Sequence, residues 1–314
     1  MADFEEFEVS ENIGNSEYEA FQKLGIIISV VISSSAVVGV VANAYVVWLL
    51  RSRAVFSVSS VYLLNRCLAD LLFLLPAPVF ATQYSLMNWV FGNAICKLTM
   101  AQLYVCSYAS YSFMIALSVD FMRVVTQHVD DDRSVLMKIL VTVIWATAIA
   151  LALPFFILFE TLQFGHSTVT HCFLNFPYFW LPIFDIISVA SITATMVTSW
   201  VMVFIAATPS SAHEVPQENG TKARTAWRLL VALTITFTTL HLPYAIIQTL
   251  HFCQIVHGPT MLKPQVIINS LVFVNAAVNP LVYLAVMRHS GQDSHQHTDS
   301  IPITLQGTEE DRDF

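Results

Sequence analysis

The sequence predicts an all-α membrane protein, a bundle of seven transmembrane helices with its N-terminus outside and its C-terminus inside. Three observations carry that expectation. Apolar residues make up 56% of the 314-residue chain and charged ones only 11%, with a mean hydropathy of +0.64, whereas soluble domains hold about 25% charged residues. The charges gather at the two ends and in short connections, which leaves seven long apolar runs between them. Lys and Arg, finally, fall unevenly on the two sides that those runs define.

Each run can be justified in turn, since crossing a bilayer takes about 20 apolar residues. The first covers 25–50 and is closed by Arg51 and Arg53. The second covers 58–84; it contains Asp70, and Pro76 and Pro78 are expected to bend its outer half, because proline breaks the backbone ladder. The third, 96–125, is the one around which the others are arranged. It opens on Cys96, stays almost free of charge, and ends Ser118-Val119-Asp120-Phe121-Met122-Arg123. The fourth covers 134–159 and the fifth 178–207, with Asp185 near its outer end. The sixth (223–252) and seventh (263–287) contain Pro243 and Pro280, which suit helices that hinge as a bundle switches shape.

Orientation follows from the basic residues, because cytoplasmic loops hold the excess of Lys and Arg. With the N-terminus outside, Arg51, Arg53, Arg123, Arg133, Lys138, Lys222, Arg224, Arg228 and Arg288 fall on the inner side, and only Lys23, Lys97 and Lys263 on the outer. This divides the chain into an extracellular tail (1–24), a membrane domain (25–288) and a cytoplasmic tail (289–314). The net charge of −8 owes much to Asp3, Glu5, Glu6, Glu8, Glu11, Glu17 and Glu19. Neither end resembles a nucleic-acid arm, which needs Lys and Arg. An acidic, polar start is not a cleavable signal peptide, so the first span is expected to direct insertion. Asn219-Gly220-Thr221, the one glycosylation triplet, falls on the inner side and cannot be used there. No internal repeat points to a transporter of duplicated halves. His289, His295 and His297 read as solvated tail residues, not a metal site.

The landmarks in these spans resemble one family. They are Asn43; Leu68-Ala69-Asp70; Trp89-Val90-Phe91-Gly92 ahead of Cys96; Ser118-Val119-Asp120; Trp145; Phe237 and Pro243; and Asn279-Pro280-Leu281-Val282-Tyr283. In order and spacing they are similar to the rhodopsin-like (class A) G-protein-coupled receptors, and the stretch 62–97 looks most like the branch of peptide and chemokine receptors. The resemblance implies a plasma-membrane receptor, not an enzyme, with a heterotrimeric G protein as partner. It also implies a disulfide between Cys96 and Cys172, both on the oxidising outer side, while Cys67 and Cys106 read as apolar filler and Cys253 lies at the outer end of span six. Around Asp70 it places Ser110, Asn275 and Asn279 as a sodium and water pocket. Two roles stay open for Asp70: sodium ligand, or a carboxylate that only hydrogen-bonds neighbouring helices. Arg66 lies four residues earlier on the same helix face, where its guanidinium could replace the ion.

The departures from the family pattern are informative. Where the family usually has Arg after the Asp corresponding to Asp120, this chain has Phe121, then Met122. Arg123 lies about 200° further around the helix and cannot substitute. Position 241, usually Trp, is His, which reads either as a hydrogen-bonded buried histidine or as a pH sensor. Span five lacks a mid-span proline, and the C-terminal tail lacks a palmitoylation cysteine and any obvious amphipathic helix. With Phe237, His241, Pro243, Asn279, Pro280 and Tyr283 as switch residues, the inner face would consist of Asp120, Phe121, Arg123, Arg224 and Arg228.

For a ligand, the outer halves offer Gln83, Tyr104, Asp185, Tyr244, Gln248, Gln265 and Asn269. Asp185 suits a basic ligand group or, equally, a neighbouring helix. Leu103 stands where amine receptors carry Asp, against a small-amine agonist. The acidic tail would attract a basic peptide or chemokine-like ligand, and Tyr18, between Glu17 and Glu19, is a sulfation candidate that is unmodified by default. Two functions remain in view: a receptor that couples to a G protein despite Phe121, and an atypical receptor, of the kind some viruses encode, that sequesters ligand or modulates other receptors without coupling. A membrane enzyme or transporter finds no support, for there is no His-Glu-x-x-His, no nucleophile elbow and too few intramembrane carboxylates for a proton relay. No cofactor is expected beyond the sodium ion left open at Asp70.

Overall fold

The computed structural model describes residues 15–52, 58–126, 134–163, 168–175, 181–208, 220–253 and 262–299. They form helices α1 (Asn15–Ser52), α2 (Val58–Leu74), α3 (Ala77–Leu86), α4 (Gly92–Val125) and α5 (Ser134–Leu158). A hairpin of β1 (Phe159–Gln163) and β2 (Thr170–Leu174) follows, then α6 (Leu181–Ala206), α7 (Gly220–Phe252) and α8 (Leu262–Asp299). Among the described residues, seven helical segments are long and apolar enough to cross a membrane, the second being α2 and α3 together. Pro76 explains that division. It has no N–H to continue α2, and its carbonyl accepts from the N–H groups of Val79 and Phe80 at 3.0 and 3.2 Å to restart the helix as α3.

α4 is the central helix and the most thoroughly buried span, packed on α2, α5, α6 and α7. Around it the ring closes through α6 on α7, α7 on α8, and α8 back on α1. The outward faces stay apolar: Val135, Ile139 and Val143 on α5 and Val37, Val41 and Trp48 on α1 are exposed. Such a surface suits lipid, because apolar patches this extensive are rare on soluble monomers.

Two small-scale features weld α1 to α8. Pro280 inside α8 lacks the N–H that would bond the carbonyl four residues back, at Ala276. Asn43 of α1 supplies the missing donor: its Nδ2 donates to that carbonyl at 3.0 Å and to its own Gly39 carbonyl at 2.9 Å. Gly39 permits the approach, since a Cβ there would stand 2.6 Å from Leu74 Cδ1 and 3.1 Å from Ala277 Cα.

The helices overrun the expected bounds at both ends. α1 starts at Asn15, inside the expected tail, where Glu, Ala, Gln and Lys favour helix and Glu19 pairs with Lys23 one turn on at 3.8 Å. α8 continues beyond 287 to Asp299. The all-α expectation also missed the hairpin, which pairs antiparallel from Phe159↔Leu174 to Gln163↔Thr170. Phe159 was expected to end span four and instead begins β1. Backbone leaving α5 must find partners for its polar groups, and the ladder supplies them.

Candidate functional site

On the outer side, Cys172 of β2 is bonded to Cys96 in the second turn of α4, with Cα atoms 5.6 Å apart. The bridge closes a 76-residue separation, which by chain entropy is worth about 4.5 kcal/mol. Further hydrogen bonds reinforce it. The Trp89 backbone N–H donates to the Thr170 carbonyl at 2.8 Å, the Thr170 backbone N–H to Asn88 Oδ1 at 2.8 Å, and Lys97 Nζ to the Ile157 carbonyl at 2.8 Å. His171 lies partly buried in β2, and that burial holds its imidazole below the ordinary histidine value.

Beneath the hairpin lies a cavity of about 260 Å³, floored by Tyr111 and reached from above by Phe159. Of the expected ligand residues, Tyr104, Tyr244 and Asn269 line it, and so does Leu103. Gln83 and Gln248 are not among the lining residues; Gln248 Nε2 instead donates to Tyr244 Oη at 3.3 Å. The side chains of Asp185, Gln265 and Tyr18 lie outside the described residues, as do Arg53 and Arg133. Sequence reasoning missed most of the wall, which is aromatic: Phe73, Phe80, Tyr84, Tyr108 and Phe273. The signal available was the four-residue spacing of Phe80 and Tyr84, which puts those two rings on one face of α3.

The cavity floor is also the top of the cluster of residues expected to switch. Tyr111 meets Phe237 edge-on at 5.6 Å and His241 edge-on at 5.3 Å, while His241 stacks on Phe237 at 4.2 Å. His241 is 0% exposed. Its Nδ1 lies 3.2 Å from the Phe237 carbonyl, and because a carbonyl only accepts, Nδ1 carries the proton. Pro243 follows two residues later in the same helix. Tyr111, which the sequence did not single out, thus packs against two of the expected switch residues, Phe237 and His241.

One layer deeper, Asp70 is 3% exposed. Ser110 Oγ donates to its Oδ1 at 3.0 Å and Asn279 Nδ2 to its Oδ2 at 3.3 Å. Asn275 is buried one turn before Asn279, with no partner on its Oδ1. Three of the four expected residues are therefore joined by hydrogen bonds, and the fourth is adjacent. Arg66 is 1% exposed and does not close on Asp70: no ion pair between them occurs among the described residues, and Nη1 instead contacts Met114 Sδ of α4. Its Nε and Nη2 have no partner, yet its charge acts on the Asp70 carboxylate. The oxygens here are of a kind that suits a small hard cation. The charge is not, because a buried positive group already stands beside the one carboxylate.

At the inner end, Ser59 Oγ donates to Asp120 Oδ2, and Asp120 is itself buried. Phe121 is 5% exposed and packs in the core cluster with Leu117 and Leu230, while Arg123 and Arg228 are half-buried and Arg224 is exposed. Pro280 and Tyr283 are buried in α8. Trp145 Nε1 donates to Asn65 Oδ1 at 3.1 Å, tying span four to span two.

Comparison with known proteins agrees with this arrangement. Residues 42–283 match the family described as 7 transmembrane receptor (rhodopsin family). Somatostatin receptor type 3 of Mus musculus is 26% identical over 282 residues, covering 82% of this chain and 65% of that receptor. Galanin receptor 2b of Danio rerio is 25% identical over 297 residues (87% and 75%), and Neuropeptides B/W receptor type 2 of Homo sapiens 27% over 303 residues (88% of each). The chain spans just under two thirds of the length of the somatostatin type 3 receptors it matches. It belongs to the rhodopsin family of seven-transmembrane receptors, multi-pass proteins of the plasma membrane and not enzymes.

Proposed function

We propose that this chain is a receptor for an extracellular peptide or chemokine-like ligand, signalling to a heterotrimeric G protein through a non-standard inner face. The observation that carries the proposal is the double position of Tyr111, which floors the outer cavity and touches both Phe237 and His241. A ligand filling the cavity presses on the ring cluster one turn below Pro243, where span six lacks a backbone bond. It thereby favours one of two bundle shapes. Moving such an equilibrium from 1:99 to 99:1 needs about 5.5 kcal/mol of differential affinity. The peptide class is supported by relatives named for somatostatin, galanin and neuropeptides B/W, and Leu103 on the cavity wall offers no charge to a small amine. A basic ligand is supported by the acidic residues before span one, with the N-terminus outside, the orientation that the distribution of Lys and Arg supports. The division into extracellular tail, membrane domain and cytoplasmic tail follows from the same orientation.

A second reading, a ligand-sequestering or receptor-modulating protein that does not couple, is favoured by Phe121. Where relatives of the usual pattern present an arginine, this residue is a phenyl ring packed into the core. Expression of the native chain and Phe121→Arg at equal surface levels, with activation read across G-protein subtypes, separates the two. Coupling predicts native activity, basal or raised at least tenfold by a panel of basic peptides. A native chain silent under the whole panel, with an active Phe121→Arg chain, establishes the second reading.

A further inference from the structure

Arg66 is a buried charged side chain that the proposed signalling route leaves without a task. It is 1% exposed, its Nε and Nη2 have no partner, and its Nη1 meets the neutral sulfur of Met114. Leaving a guanidinium buried among apolar side chains is costly unless an opposite charge offsets it. The nearby opposite charge is Asp70, one turn outward on the same helix, and the two act on each other. Asp70 is already bonded by Ser110 and Asn279, so its oxygens are held in place without a metal. Together the pair is neutral. A sodium ion placed against Asp70 would make the layer net positive in a region with no water-like screening, and the guanidinium would repel it.

We infer that Arg66 is the resident counter-ion of Asp70, so that this receptor does without the sodium ion that its fold otherwise implies. The guanidinium has a property that a diffusible ion lacks: it cannot leave. The Asp70 layer is therefore indifferent to external sodium, and its state is fixed by the chain itself. Removing the guanidinium leaves a bare carboxylate among Ser110, Asn275 and Asn279, a set of oxygens free to take a sodium ion.

The test uses the full chain in nanodiscs, unfolded by heat in sodium chloride and in N-methylglucamine chloride at equal ionic strength. The native chain is expected to melt at the same temperature in both. Arg66→Leu is expected to gain a saturable sodium dependence, a rise of about 3 °C at tenfold over its half-saturating concentration, and Arg66→Leu with Asp70→Asn to lose it. Saturable, sodium-specific stabilisation of the native chain overturns the inference, and so does an Arg66→Leu chain that stays indifferent. If Arg66→Leu does not fold, Arg66→Met, closer in length, takes its place. If neither folds, sodium-23 line broadening on the native chain against Asp70→Asn decides: equal linewidths support the inference, and broadening that depends on Asp70 overturns it.

Discussion

Asn43 shows how much one amide can settle. The Ala276 carbonyl would be orphaned by Pro280 in any straight reading of α8, and Asn43 reaches across from α1 to bond it at 3.0 Å. Replacing Asn43 with Ala removes that donor and leaves a buried carbonyl unmet, a loss of about 1–3 kcal/mol, read as a lower melting temperature. The cause can be isolated with a second change. In a Pro280→Ala background the residue-280 N–H returns to Ala276, so Asn43→Ala should then cost clearly less; equal losses in both backgrounds would show that the amide acts elsewhere. Single residues were unevenly legible in the sequence. Asp70 stands out because a carboxylate in an apolar run is conspicuous, and so does Arg66 as a charge. That Arg66 turns its Nη1 to Met114 depends on side-chain rotation, which sequence spacing does not determine. Tyr111 was invisible for another reason, since one more aromatic in an aromatic-rich span has no distinguishing neighbour in the sequence.

Among the elements, the hairpin has the most defined environmental response. His171 in β2 is partly buried, and that burial lowers its affinity for a proton in the closed cover. Its folded value lies below its unfolded one of about 6.5. The cover therefore has its full stability above that value and loses some of it as pH falls through the folded value. Amide exchange over 159–174, corrected for intrinsic chemistry, is expected to quicken from pH 7 to pH 5. Substituting His171→Gln should flatten that trend while the Cys96–Cys172 bridge remains intact. The seven spans were plain in the sequence because each apolar run outlasts the bilayer. The hairpin was not, since five-residue strands such as Phe-Glu-Thr-Leu-Gln are too short to show a period. Pro76 was expected to bend span two, and it divides the span into two helices.

For the whole molecule, the relevant quantity is the closure of the ring of spans around α4. The sequence supplied the number of spans and the central place of the third. Which span closes the ring against which depended on contacts between residues far apart in the chain, such as the 233-residue separation of Asn43 and Ala276. That separation has a consequence for how the protein is made. Asn43 enters the membrane with the first span synthesised, and its partner arrives only with the last. Until then that amide has only the Gly39 carbonyl of its own helix as acceptor, and Gly39 lacks the Ala277 backbone that packs against it. A chain stopped after residue 260 should therefore be retained and degraded in the endoplasmic reticulum, with a half-life several-fold shorter in a pulse-chase. Supplying residues 261–314 as a separate polypeptide should lengthen that half-life and restore surface delivery, unless the supplied piece carries Ala276 with Pro280 but meets Asn43→Ala. The weld between the first and last helices then acts as a mark of completion, by which the cell distinguishes a finished receptor from one still under construction.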